Sequence, residues 1–150
     1  MPLLSLCAFA SAASMRICDP LLPVFSTEFD VPLASAAATT NGFALAYGLC
    51  QFFLGPLGDR YGKLLIVVIT GALAGLSAIA CALAPDLNGL IAARLAAGAF
   101  AGASIPLSMA WIGDNVPFTE RQPVLARYLV GQMLGMSAGQ VAGGALADWL

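Results

Sequence analysis

The sequence predicts an all-α polytopic membrane protein, an antiparallel bundle of transmembrane helices. Two observations carry this. Of 150 residues, 60% are hydrophobic and only 9% are charged, whereas a soluble domain carries about 25% charged residues. That much apolar surface suits a bilayer better than a water-facing globule. The charges are also spaced far apart, leaving uncharged runs of 28 residues (31–58), 22 (64–85), 19 (95–113) and 20 (128–147). Each run is close to the roughly 20 residues that a helix needs to cross about 30 Å of hydrocarbon.

A fifth span, 3–25, carries two charges, Arg16 and Asp19, and closes on the Pro-rich run Asp19-Pro-Leu-Leu-Pro23. With no Lys or Arg ahead of it, this segment reads as a retained helix rather than a cleaved signal. The predicted helices are therefore 3–25, 35–57, 64–84, 88–110 and 127–148. They are joined by short links at 26–34, 58–63, 85–87 and 111–126, and short links make consecutive helices antiparallel. The chain reaches position 150 at the end of the fifth helix, which reads as a truncation, a partial amino-terminal transmembrane domain over 1–150.

Outside the spans, the second and fourth links with the mouth of the fifth helix hold four basic residues, Arg60, Lys63, Arg121 and Arg127. The first and third links hold none, only Glu28, Asp30 and Asp86. The positive-inside rule then places the even links and the amino terminus in the cytoplasm, as expected for a plasma (inner) membrane protein. Trp111 and Trp149 fall at the expected interfaces.

Composition also narrows the chemistry. With no histidine, Ser/His/Asp and Cys/His nucleophile systems and most catalytic zinc sites have no base or ligand. Asp19 is the lone carboxylate expected inside the membrane, so an aspartyl-pair intramembrane enzyme lacks its second acid. Cys7, Cys18, Cys50 and Cys81 sit inside apolar runs with no C-x-x-C pair, and read as small buried hydrophobes. No cofactor and no metal is expected. A net charge of −2 gives no reason to expect nucleic acid as a partner. The bilayer is the expected partner.

Three segments carry chemistry. Between the second and third helices lies Gly55-Pro-Leu-Gly58-Asp59-Arg60-Tyr-Gly62-Lys63, where Gly55 and Gly58 permit close helix contact and Gly62 a positive φ in a tight turn. Asp59 and Arg60 stand at the membrane edge, free to pair with each other or with a helix end. The fourth helix contains Arg94-Leu-Ala-Ala-Gly98. An arginine in hydrocarbon costs about 2.5 kcal/mol or more, so it marks function by default, with snorkelling to the interface as the plainer alternative. In the fifth helix Gly131, Gly135, Gly139 and Gly143 recur every four residues, which lines them along one face. Gly71 and Gly75 form a lesser pair assigned to packing, and Asn41 and Gln51 in the second helix are polar candidates for lining a cavity.

These three segments resemble, in order and on the right helices, motifs of the major facilitator superfamily. The first is similar to G-x-x-x-D-[RK]-x-G-[RK]-[RK], matched by Gly55, Asp59, Arg60, Gly62 and Lys63, with Leu64 at the last basic position. The second is similar to R-x-x-x-G. The third, from Gly135 through Gly139 to Gly143 and Gly144, resembles the antiporter motif G-x-x-x-G-P-x-x-G-G, with Gln140 in place of proline. The first-helix run at Asp19 looks like that of proton-driven drug exporters.

The resemblance implies a twelve-helix transporter in two halves, of which this chain supplies five helices and lacks the carboxy-terminal half. It implies that Asp19 and Arg94 serve proton coupling. Asp19 is expected to pair either with Arg94 at similar depth or with Arg16, nearly one turn away. It further implies that the Gly55–Lys63 segment gates the cytoplasmic side and that export of a small organic molecule is the activity. An uptake or sugar-type permease and a short self-assembling multidrug exporter are the alternatives.

Overall fold

A computed structural model describes residues 2–149 as eight helical segments: α1 (Pro2–Arg16), α2 (Leu22–Glu28), α3 (Leu33–Ala36), α4 (Ala38–Tyr61), α5 (Lys63–Ala82), α6 (Leu87–Ala101), α7 (Ser104–Asn115) and α8 (Phe118–Trp149). There is no strand among the described residues. The chain is an all-α helix bundle built on five spans, formed by α1 with α2, α4, α5, α6 with α7, and α8.

Two of the expected spans are broken. The single helix expected over 3–25 stops at Arg16 and restarts at Leu22. Pro20 has no N–H to give and its ring crowds the carbonyl of Arg16, four residues back. The chain between them tightens into Asp19 N–H to Arg16 O (3.2 Å) and Leu21 N–H to Cys18 O (3.1 Å). The expected helix 88–110 is likewise α6 followed by α7, broken at Gly102 and Ala103, and it runs on to Asn115. Pro106 is the cause, because it cannot donate to the carbonyl of Gly102.

Two expected links nearly vanish. The turn expected over 58–63 contracts to Gly62 alone, at φ 99° and ψ 123°, a conformation that a side chain strongly disfavours. The loop expected over 111–126 contracts to Val116 and Pro117, and the fifth span begins at Phe118 rather than 127. Glu120, Arg121 and Arg127 marked that stretch as a loop, yet charged residues are good helix formers wherever water reaches them. At 32 residues α8 is about 48 Å long, so one end stands clear of about 30 Å of hydrocarbon.

Consecutive spans run antiparallel, but the most extensive contacts join spans distant in sequence: α1 with α8, and α4 with α6. Both pairs are parallel. Along α1 and α8 the facing residues advance together, Ser5 with Gly131, Phe9 with Gly135, Ala13 with Gly139 and Ile17 with Gly143. Along α4 and α6, Phe43 faces Gly98 and Tyr47 faces Gly102. α5 covers α6 and α7. Near the Gly62 end a core forms from Leu4, Val67, Leu107, Ile112 and Tyr128. Outward, α4 exposes Leu45, Leu49, Phe52 and Phe53, and α5 exposes Leu65, Val68, Ile69, Leu76 and Ile79. These faces suit lipid.

Candidate functional site

Arg94 lies in the middle of α6 and is only 2% exposed. Its place follows from the glycines one and two turns further on: a β-carbon at Gly98 would collide with the Phe43 carbonyl, and one at Gly102 with that of Tyr47. Because these glycines let α6 lie directly on α4, the guanidinium sits 4.2 Å from the Phe43 ring centroid, in cation–π range. Its Nη1 donates to the carbonyl of Ser14 on α1 at 2.8 Å. The Nε and Nη2 donors are buried without a hydrogen-bond partner. Arg94 does not snorkel to an interface.

Asp19 occupies the break between α1 and α2. Of the two partners open to it in sequence, it takes Arg16, with Arg16 Nη1 donating to Asp19 Oδ2 at 3.1 Å. The pair is partly open to its surroundings, the side chains being 43% and 29% exposed. No Asp19–Arg94 ion pair forms among the described residues, because the tightened turn folds Asp19 back onto the last turn of α1.

A cavity of about 550 Å³ opens between the end of α1, α2, the end of α5 and the start of α6. Arg94, Cys18, Cys81, Leu90, Phe25 and Glu28 contribute to its wall. Asn41 and Gln51, expected to line a cavity, are not part of that wall. Asn41 is exposed on the first turns of α4 and Gln51 is half-buried.

The charged turn forms a separate cluster. Asp59 and Arg60 do not pair with each other among the described residues; Lys63 instead bridges Asp59 (3.1 Å) and Asp114 on α7 (2.5 Å). Arg60 lies over the Tyr61 ring at 5.4 Å. Gly58 is buried where a β-carbon would meet the Leu107 side chain, whereas Gly55 faces open space. Arg121 closes the far end of α7, donating from Nη2 to the carbonyls of Gly113 (2.6 Å) and Val116 (3.3 Å).

The helix-five stripe works as a seam. Added β-carbons at Gly135, Gly139 and Gly143 would collide with the carbonyls of Phe9, Ala13 and Ile17, and one at Gly131 would crowd that of Ser5. Gly144 faces open space, and Gln140 is exposed beside the seam, so neither joins it.

Sequence reasoning left three partners unassigned. Asp114 answers Lys63, and its signal was that antiparallel third and fourth spans bring both to one end. Ser14 and Phe43 hold Arg94, one through a backbone carbonyl and the other through a ring face, and neither contact leaves a charge pattern to read.

Fold and site together define a polytopic helical membrane protein with a buried cation beside a cavity and a charged hairpin turn. The chain belongs to the Major Facilitator Superfamily, whose family model matches residues 4–150, and it is an integral membrane protein. The MFS-type transporter YwfA of Bacillus subtilis is 26% identical over 147 residues, covering 95% of this chain and 36% of that protein. The efflux pump radE of Floropilus chiversii is 27% identical over 97% of this chain and 27% of its own length. The multidrug export protein EmrB of Haemophilus influenzae is 26% identical, again over 97% of this chain, and 28% of EmrB. The chain thus spans about a third of the length of the curated relatives it matches.

Proposed function

We propose that this chain forms the amino-terminal helices of a proton-coupled exporter of small organic molecules rather than an enzyme. It lies in a plasma membrane with its amino terminus in the cytoplasm and works with a second helical half that completes the cavity. Two of its relatives are named for efflux or multidrug export, which supports the export direction. The basic residues Arg60, Lys63 and Arg121 cluster around the Gly62 end, and the positive-inside rule supports a cytoplasmic place for that end.

The observation that carries proton coupling is Asp19 itself. It is a partly accessible carboxylate at a helix break within a span, held by Arg16 at 3.1 Å and close in sequence to Cys18 in the cavity wall. Ionisable groups at such places pair with one another and mark proton relays. Protonation of Asp19 releases Arg16, and deprotonation re-forms the pair, so the break between α1 and α2 has two charge states to move between. Lys63, clamped between carboxylates of α4 and α7, supports a gating role for the Gly55–Lys63 segment.

The test is uptake of ethidium into everted membrane vesicles from cells expressing the gene, driven by an imposed acid-inside gradient. Gradient-driven uptake is expected from the wild type and is lost in Asp19→Asn at equal membrane abundance. Undiminished uptake in Asp19→Asn removes Asp19 from the coupling role.

A further inference from the structure

The Arg94 donors without a protein partner lie together on one edge of its guanidinium. In an arginine, Nε–H and one N–H of Nη2 lie side by side along one edge of the planar guanidinium, the edge that grips a carboxylate with two parallel hydrogen bonds. In this structure Nη1, which belongs to the other edge, is occupied by the Ser14 carbonyl at 2.8 Å, and the two empty donors are Nε and Nη2. The unfilled positions are thus the two members of one fork. The positive charge is also unbalanced. Asp19 is committed to Arg16, and the carboxylate in the cavity wall, Glu28, lies exposed at the end of α2. A buried cation lacking a counter-charge is a strong electrostatic debt on the fold.

Arg94 forms part of the wall of the 550 Å³ cavity, within the range of about 300–1,000 Å³ typical of small-molecule sites. The rest of that wall is mainly apolar, with Ile17, Leu21, Phe25, Phe29 and Leu90 among its members. An apolar chamber with one convergent polar group selects an amphipathic ligand, and the sign and geometry of the group select its head.

We propose that this cavity binds an amphipathic organic acid, its apolar body against Phe25, Leu21 and Leu90 and its carboxylate on the Nε/Nη2 edge of Arg94, an edge packed shut in this structure that side-chain movement uncovers as the acid enters. That the acid is cargo rests on the exporter reading; that it binds does not, and binding is measured with no gradient and no transport. Asp19 plays no part in the contact.

The experiment uses the whole chain in phosphatidylcholine nanodiscs with dansylglycine as the probe and its neutral amide, dansylglycinamide, as the control. Dansyl fluorescence reports binding. The acid is expected to bind about tenfold more tightly than the amide, the size of one charge-assisted hydrogen-bonded contact. Arg94→Gln abolishes that preference while leaving amide binding in place. Should Arg94→Gln fail to fold, the wild type still decides. Cys18 and Cys81 line the same cavity, so dansylglycine must slow their modification by N-ethylmaleimide, resolved by peptide mass, more than dansylglycinamide does at equal concentration. Equal binding and equal protection by acid and amide overturn the proposal, as does an acid preference that survives Arg94→Gln. Absence of gradient-driven uptake of both ethidium and dansylglycine by the wild type, with acid binding intact, removes the exporter reading alone.

Discussion

The α1–α8 pair and the α4–α6 pair are assembled by one device and carry different loads. In both, two parallel helices meet where glycines on one face backbone carbonyls on the other. The α1–α8 seam runs through four glycines from Gly131 to Gly143 without a charge between its helices. The α4–α6 seam has Gly98 and Gly102, and one turn before Gly98 the next position is Arg94, lying on the Phe43 ring. Without a hydrophobic force between helices in lipid, close backbone approach supplies the attraction. The difference teaches that the first seam is a structural spine, while the second gives up part of its packing to hold a cation in the interior.

The sharpest way to break the comparison is to fill the spine. Gly139→Leu drives a side chain into the Ala13 carbonyl, and overpacking of that kind costs about 3 kcal/mol or more. Loss of monodisperse protein in detergent gel filtration is expected, with Gly144→Ala, which faces open space, eluting as the wild type. Equal behaviour of the two variants dissolves the seam.

At the hairpin turn, Gly62→Ala places a β-carbon at φ 99° and should cost about 1 to 3 kcal/mol, read as a lowered melting temperature. No change there means the turn adopts another conformation in the membrane.

In the loaded seam the sign reverses. Arg94→Leu removes a buried charge that has no counter-ion, and well-packed apolar replacements of buried ions stabilise by about 1 to 2 kcal/mol. A higher melting temperature is expected even as function is lost. A fall would show that the contacts to Ser14 and Phe43 outweigh the desolvation of the guanidinium.

The smallest effect belongs to the exposed cluster. Asp114→Asn breaks the bridge from Lys63, and because surface ion pairs contribute little, melting should hardly move. Its expected readout is faster tryptic cleavage after Lys63, which the bridge otherwise shields; an unchanged cleavage rate argues against the bridge.

The number and order of the spans were legible because a bilayer imposes a length on an uncharged run, and this requirement is written in the spacing of charges. The glycine stripe was legible because a period of four is a face of a helix. The breaks at 17–21 and 102–103 were less so. Pro20 and Pro23 announced a bend, but where the helix stops depends on which carbonyl can find another donor. Pro106 sits in a stretch that otherwise reads as one helix. The start of α8 was hidden because Glu120, Arg121 and Arg127 look like loop residues when counted by charge and like helix residues when water reaches them.

At the candidate site, Arg94 and Asp19 were legible as charges in apolar surroundings, but their partners were not. Asp19 had two candidates, Arg94 at similar depth and Arg16 nearly one turn away, and the geometry of five residues around Pro20 chose Arg16. Arg94 is held by a carbonyl and an aromatic face, which sequence spacing cannot distinguish from their neighbours. Asn41 and Gln51 were placed by polarity alone, and polarity does not say which way a residue on a helix looks.

The joint between α4 and α5 is one residue long. A joint so short has no slack: neither rod can slide along its axis without dragging the other. With Lys63 pinning the joint to α7 through Asp114, the hairpin can tilt but not telescope. Any rearrangement that reaches this corner of the molecule is therefore felt at once by three of its five spans.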